Sequence, residues 1–241
     1  MNSIVEIAPD IYRICLYNSV FNLQFNHFLV KDEEPLLFHT GYKASFPELK
    51  EQLSKILPPE KLRWISFSHF ESDECGALNN WLETAPQAQA ACNFLGAVLN
   101  VNDFAIRPPR ILEAEDVLTT GKYRFRFCST AHAPHGWDAG VLFEETSRTL
   151  FCSDILFHPG DVAPVTTSDI VGPARQTLLE FQKSPFAYST PCTPQTEGVF
   201  ERLAALKPAL LATMHGSSFS GDGAAALRGY AEAIREATGR A

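Results

Sequence analysis

The amino-acid sequence predicts an α/β (α+β) fold built as a four-layer αββα sandwich, with two β-sheets packed face to face and helices covering each outer surface. Short apolar runs of strand length recur in both halves of the chain. Amphipathic helical segments follow each set of strands, and no repeat, low-complexity tract or long linker divides the sequence. The whole chain, residues 1–241, is therefore expected to form one domain, a size at which the apolar core needs no disulfide staples.

Taken in order, strands are expected at 11–17 (IYRICLY), 27–31 (HFLVK) and 35–40 (PLLFHT). After Gly41, a helix is expected at 46–57. The pattern then alternates: a strand at 63–68 (RWISFS), a helix at 76–83, a short segment at 88–91 and a helix at 94–100. A second set of strands is read around 106–112 and at 123–132, 140–146 and 149–156. Helices at 173–182 and 198–207, a strand at 209–215 (ALLATMH) and a helix at 224–237 complete the chain. The stretch 216–223 (GSSFSGDG) reads as a polar loop joining the last strand to the final helix.

Composition limits the partners. Lys plus Arg number 20 against 28 Asp plus Glu, a formal charge of −8, which leaves no basic footprint for nucleic acid or anionic lipid. With 45% hydrophobic and 20% charged residues, and no apolar stretch of membrane length, the chain is expected to be globular. The first fifteen residues hold acids early and no Lys/Arg-led apolar run, so a cytoplasmic location is expected. The six cysteines, scattered without a C-x-x-C pair, read as buried free thiols; Cys75 and Cys152 are taken as core packing despite neighbouring polar runs.

The chemistry concentrates in SHFESDECGAL, where His69, Glu71, Asp73 and Glu74 follow an apolar strand. In extended backbone i, i+2 and i+4 share a face, so His69, Glu71 and Asp73 can converge, with Glu74 opening the next helix. By itself the run is equally well explained by Asp73 and Glu74 complementing a helix dipole. Three later strand ends break the tie, supplying His132 and His135 (AHAPHGWD), Asp154 (FCSDILFHPG) and His215 (LLATMHGSS). So many acids and imidazoles after buried apolar runs are most simply satisfied by two divalent cations.

The order H-x-E-x-D-E, then P-H-G-W-D, then S-D, then M-H-G resembles the metallo-β-lactamase superfamily, and within it the di-iron, oxygen-binding domain of flavodiiron proteins, over about residues 20–220. Hydrolases of that superfamily usually carry a second His where Glu71 stands. The resemblance implies a metallo-β-lactamase-like fold in which His69, Glu71 and His135 bind one metal, Asp73 and His215 the other, and Asp154 bridges both. His135 is preferred to His132 because its P-H-G-W-D context resembles the ligand loop of the family. Glu74 stands where the family has a His and is included among the metal residues. His39, in H-T-G, stands where the superfamily often has Asp, a residue that buttresses the metal loop. No flavodoxin-like segment is present, so a self-sufficient reductase is not expected.

Glu71, Asp73, Glu74 and Asp154 together balance two divalent ions, and a set rich in oxygen ligands suits iron, with zinc or manganese as alternatives. The expected function is that of a non-haem di-iron protein that binds or reduces dioxygen, or nitric oxide, with electrons from a separate donor protein; a homodimer is also expected. The alternatives are an oxygen sensor without turnover and a binuclear hydrolase of an ester, lactone or phosphodiester. His158 reads as a solvated loop residue, His27 as a core histidine held by backbone, and Trp137 and Tyr188 as walls of pocket and core. G-x-G-x-x-G, Walker-type and G-x-S-x-G patterns are absent.

Overall fold

In a computed structural model, which describes residues 2–239, the alternating segments assemble into two seven-stranded sheets. The first contains β1 (Ser3–Ala8), β2 (Ile11–Asn18), β3 (Leu23–Val30), β4 (Leu36–Phe38), β5 (Trp64–Ser66), β6 (Gln89–Asn93) and β7 (Arg110–Leu112), in that spatial order. Strands β1 to β4 pair antiparallel, and β4 to β7 pair parallel. The antiparallel turns use Asp10 and Asn22 at φ 56° and 50°, a backbone region that their short polar side chains tolerate. Parallel pairing requires crossovers, supplied by α1 (Phe46–Ser54), by α2 (Ser72–Cys75) with α3 (Leu78–Thr84), and by the helical stretch of α4 (Phe94–Gly96), a π turn (Ala97–Val101) and α5 (Asn102–Phe104).

The second sheet contains β8 (Val117–Thr119), β9 (Arg124–Ser129), β10 (Gly140–Glu144), β11 (Thr149–Ser153), β12 (Val165–Thr166), β13 (Leu210–Thr213) and β14 (Ser218–Ser220), ordered β12-β14-β13-β11-β10-β9-β8. Strands β11 and β13 run parallel at its centre, so their C-terminal ends leave on the same side. Helices α6 (Val171–Phe181), α7 (Thr196–Ala205) and α8 (Gly223–Ala237) pack outside it.

Three buried clusters define the layers. Phe28, Phe38, Trp64, Phe125, Phe127 and Phe151 fill the space between the sheets. Leu49, Leu53, Leu78 and Trp81 pack α1 and α3 onto the first sheet. Leu178, Phe200, Leu203, Leu227 and Tyr230 pack the last three helices onto the second. Each fully buried Phe or Leu contributes about 1.5–3 kcal/mol by transfer from water. The expected αββα sandwich is therefore present.

Local differences have identifiable causes. Strands β1, β8, β12 and β14 were not expected: β8, β12 and β14 are only two or three residues long, and β14 lies inside the stretch read as a loop. The first helix ends at Ser54, ahead of Pro58 and Pro59. Trp137 and Tyr188 are 65% and 69% exposed and so take no part in the core, contrary to expectation. His158 is only 5% exposed, and its position is set by backbone rather than solvent: Nδ1 donates to the Leu156 carbonyl, and Nε2 accepts from the Ser217 amide. No helix among the described residues is long and apolar enough to cross a membrane.

Candidate metal centre

Every strand end that carries a sequence-predicted site residue opens at the same end of the sandwich. The turn after β5 brings His69 and Glu71, and the one-turn α2 that follows holds Asp73 and Glu74. The β9–β10 loop delivers His135, Asp154 follows β11, and His215 follows β13.

The imidazoles turn their Nε2 atoms inward. His69 Nε2 and His135 Nε2 each lie 3.0 Å from Glu71 Oε2, and 3.7 and 3.6 Å from Asp154 Oδ2. One donor atom from each of these four residues falls within 4.8 Å of all the others, a set that could hold a metal ion. His215 Nε2 lies 3.2 Å from Asp154 Oδ1 and 3.3 Å from Asp73 Oδ2. The two oxygens of Asp154 thus face two different sets of donors.

His215 provides a test of whether these residues suit cations. Its Nδ1 lies 2.8 Å from the Gln24 carbonyl, which can only accept, so Nδ1 carries the hydrogen. A neutral ring would then point the Nε2 lone pair at two carboxylates. That contact is repulsive unless Nε2 is protonated or a cation lies between the groups. Without metal the proton is held: burial opposes the charged ring, but the Asp154 and Asp73 carboxylates outweigh it and push His215 up to about 10. His69 is likewise pushed up to about 10, by Glu74, Glu71 and Asp154 against its burial. Hydrogen bonds from His135 and His69 hold Glu71 down at about 2. Buried Asp154 stays well below the usual carboxylate range because His215, His69 and His135 surround it. The donor set fits divalent metals, which would replace those protons.

Glu74 sits on the other side of His69. It is fully buried; its Oε2 accepts from the Ser68 amide at 2.8 Å, and its Oε1 accepts from the Ser153 hydroxyl. His69 Nδ1 and His39 Nε2 lie 3.8 and 3.4 Å from Oε1. Burial holds this carboxyl above the usual range. His39, fully buried, donates from Nδ1 to the Asn26 carbonyl at 3.0 Å, which leaves Nε2 as an acceptor facing Glu74. His27 is held by the His39 carbonyl, as expected of a core histidine, and His132 stands half-buried at φ 65° outside the cluster.

Supporting residues that sequence reasoning missed tie the loops together. The Asn26 side chain donates to the carbonyls of Thr213 and Gly216 at 3.0 and 2.9 Å, and its backbone amide donates to Met214 at 2.9 Å, so β3 clamps the turn bearing His215. Asp138 accepts from the Phe70 amide at 2.8 Å and fixes the β9–β10 loop against the His69 turn. Gly136, at φ 83°, lets His135 approach: a Cβ there would lie 3.4 Å from His69 Cβ and 3.2 Å from Asp138 Oδ1. The D of P-H-G-W-D was the available signal for Asp138; nothing local marks Asn26.

The family model described as ODP family beta lactamase matches residues 23–216. The chain is similar to the rubredoxin-oxygen oxidoreductase of Megalodesulfovibrio gigas, 28% identical over 202 residues that cover 82% of this chain and 49% of that protein. It therefore spans about half the length of that relative. Among solved structures, the rubredoxin oxygen:oxidoreductase from Desulfovibrio gigas superposes with a TM-score of 0.81 at 22% identity, over 95% of this chain and 61% of the other. The flavodiiron protein from Giardia intestinalis gives 0.80 at 16%, over 98% and 60%. At these identities the structural likeness establishes the shared metallo-β-lactamase-like αββα fold, and together with the family match it bears out the resemblance read from the sequence.

Proposed function

The chain belongs to the ODP family of beta lactamase domains, and from that premise we propose that it is a non-haem di-iron protein that binds or reduces dioxygen, or nitric oxide, with electrons from a separate donor protein. In this reading His69, Glu71 and His135 would hold one iron, Asp73 and His215 would hold the second, and Asp154 would serve both. The observation that carries it is the division of labour at Asp154, with Oδ2 facing His69 and His135 while Oδ1 faces His215. The same donors accept manganese or zinc; a set of three carboxylates with three imidazoles favours iron among first-row ions that prefer mixed O/N ligands. Glu74 enters as the support beneath the His69 turn, through Ser68 and Ser153.

When bound, the iron pair supplies electrons to a diatomic ligand. The protein's part is to orient and to seal. The Gln24 carbonyl fixes the His215 tautomer, and Phe25 and Phe157, with ring centroids 5.1 and 4.6 Å from that imidazole, keep water from its faces. Phe70 and Trp137, exposed beside Glu71 and His135, support a docking face for the electron donor. Six cysteines without a disulfide support residence in the reducing cytoplasm.

Metal analysis of anaerobically purified protein from iron-supplemented medium tests the ligand assignment. About two irons per chain are expected, about one in His135→Ala, and fewer than one in Asp154→Ala, since losing a bridge weakens both positions. Full iron content in Asp154→Ala would contradict the proposal.

A further inference from the structure

The helical stretch from α4 through the π turn to α5 carries its large apolar side chains on the outside. Gly96, Ala97 and Val101 are its buried residues. Phe94, Leu95, Val98 and Leu99 face solvent at 37–54% exposure, and as neighbours three and four apart they form one stripe. Single exposed apolar residues are ordinary, but a contiguous stripe is the mark of a contact surface.

This stripe is tied to the metal loops. Asn93 caps the stretch by accepting from the Gly96 amide at 2.6 Å, and its Nδ2 donates to the Asp138 carbonyl at 2.7 Å. Asp138 in turn holds the Phe70 amide, and the Phe70 ring packs edge-on against Phe104 with centroids 5.4 Å apart. Phe70 stands between His69 and Glu71, Trp137 stands two residues beyond His135, and both are exposed. The apolar surface therefore continues from the helical stretch to the rim of the centre.

Its charge has one sign. Lys and Arg are absent between Arg63 and Arg107, between Arg126 and Arg148, between Arg148 and Arg175, and between Lys207 and Arg228, the segments that hold the stripe and every donor residue of the centre. Arg107 turns its guanidinium to the carbonyls of Leu82, Ala85 and Ala88. Lys43, whose backbone adjoins Gly76, belongs to the neighbouring β4–α1 connection. The exposed acids are Glu71, Asp103 and Glu83, the last on α3, which Asn79 joins to the stretch through the Phe104 carbonyl at 2.8 Å. A second copy meeting this face across a two-fold axis would set Glu71 and Asp103 against the same acids, with no Lys or Arg in the stretch to pair with them.

We propose that Phe94, Leu95, Val98 and Leu99, with Phe70 and Trp137, form the docking surface for a separate protein whose own contact face is apolar at its centre and edged with Lys or Arg. The inference rests on the reading of the centre as one served by a separate electron donor, and it gives that donor's contact chemistry.

The test is calorimetric titration of the chain, with its metals as purified, with cytochrome c, a redox protein whose exposed haem edge is ringed by lysines; the same protein with acetylated lysines is the second probe. Saturable binding of the unmodified probe is expected at low salt, about tenfold or more tighter than the acetylated one and weakened at about 0.15 M salt. Leu99→Ser and Asp103→Lys, both at exposed positions, should each weaken it about tenfold, while Val20→Ser and Glu60→Lys, matched changes away from this face, leave it unchanged. No saturable binding, equal binding of the two probes, unchanged affinity in Leu99→Ser, or an equal loss in Glu60→Lys would each overturn the proposal. A dimer of the chain alone that Leu99→Ser converts to monomer would overturn it in favour of a second copy. Metal content is read on the same samples, so failure of docking and failure of the two-iron reading are told apart.

Discussion

His215 Nε2 lies 3.2 Å from Asp154 Oδ1 while its Nδ1 is committed to the Gln24 carbonyl, so this imidazole can meet its carboxylate only as a cation or across one. The centre is thus charged in either state. Protons hold it together without metal, and metal would release them.

The metal-free chain should accordingly be most stable just below pH 6.5 and lose stability on both sides. On the alkaline side, His69 and His215 are raised in the fold, from 6.5 to about 10. Their contribution is complete below 6.5 and lost as pH rises towards 10; Glu74, also raised, acts in the same direction. On the acid side, buried His27 and His39 are depressed to about 3 and 4, so the unfolded chain takes up protons the fold refuses as pH falls below 6.5. Glu71, held at about 2, adds its loss below 4.5. Thermal melts of chelated protein at about pH 6 and pH 9 check this: the midpoint should fall at the higher pH, by less in His215→Gln. Saturating divalent metal should flatten or reverse the alkaline fall.

Glu74→Gln separates support from ligation. The amide keeps an oxygen for the Ser68 amide and turns its NH₂ to the Ser153 hydroxyl and the His39 Nε2 lone pair, but it removes the carboxylate that helps hold the proton on His69, a loss of about 1–3 kcal/mol. A lower unfolding midpoint with two metals still bound is expected from denaturation and metal analysis; loss of one metal would make Glu74 a ligand.

Asn26→Asp should cost a similar amount and act on one metal only. It replaces the donor to Thr213 and Gly216 with an oxygen facing two carbonyls, and so loosens the turn carrying His215. Metal titration should show one weakened position and one unchanged.

Two glycine substitutions should have opposite signs. Gly136→Ala forces a side chain into φ 83° against His69 and Asp138, and about 1–2 kcal/mol of destabilisation is expected with reduced metal retention. Gly198→Ala, on the exposed face of α7 with only Arg202 at 3.8 Å, should instead stabilise by about 0.5–1 kcal/mol. Urea denaturation of the two variants reads both.

How far the sequence foretold this arrangement differs by residue. The αββα layering was legible because β2, β10 and β11 are strongly apolar runs, and the meeting of His69, Glu71, Asp73, His135, Asp154 and His215 followed from ligand types placed after such runs. Glu74 was legible as part of the run, but its bonds to Ser68 and Ser153 were not, because helix α2 turns its side chain beneath the His69 turn and Ser153 arrives from the opposite sheet. Asn26 and Gln24 act through contacts nearly two hundred residues away in sequence, which no local pattern encodes. His158 misled for a related reason: its Pro-Gly surroundings read as solvent, yet Gly216, at φ 89° and without a Cβ, opens the space its ring fills.

The most direct test of the central claim is the visible spectrum of iron-loaded, anaerobically purified protein before and after admission of air, with metal content measured on the same sample. About two irons per chain are expected, with an absorption change on exposure to air that a reductant reverses. Two zinc ions in protein from the same medium, with no spectral response to air, would contradict it and turn attention to hydrolysis.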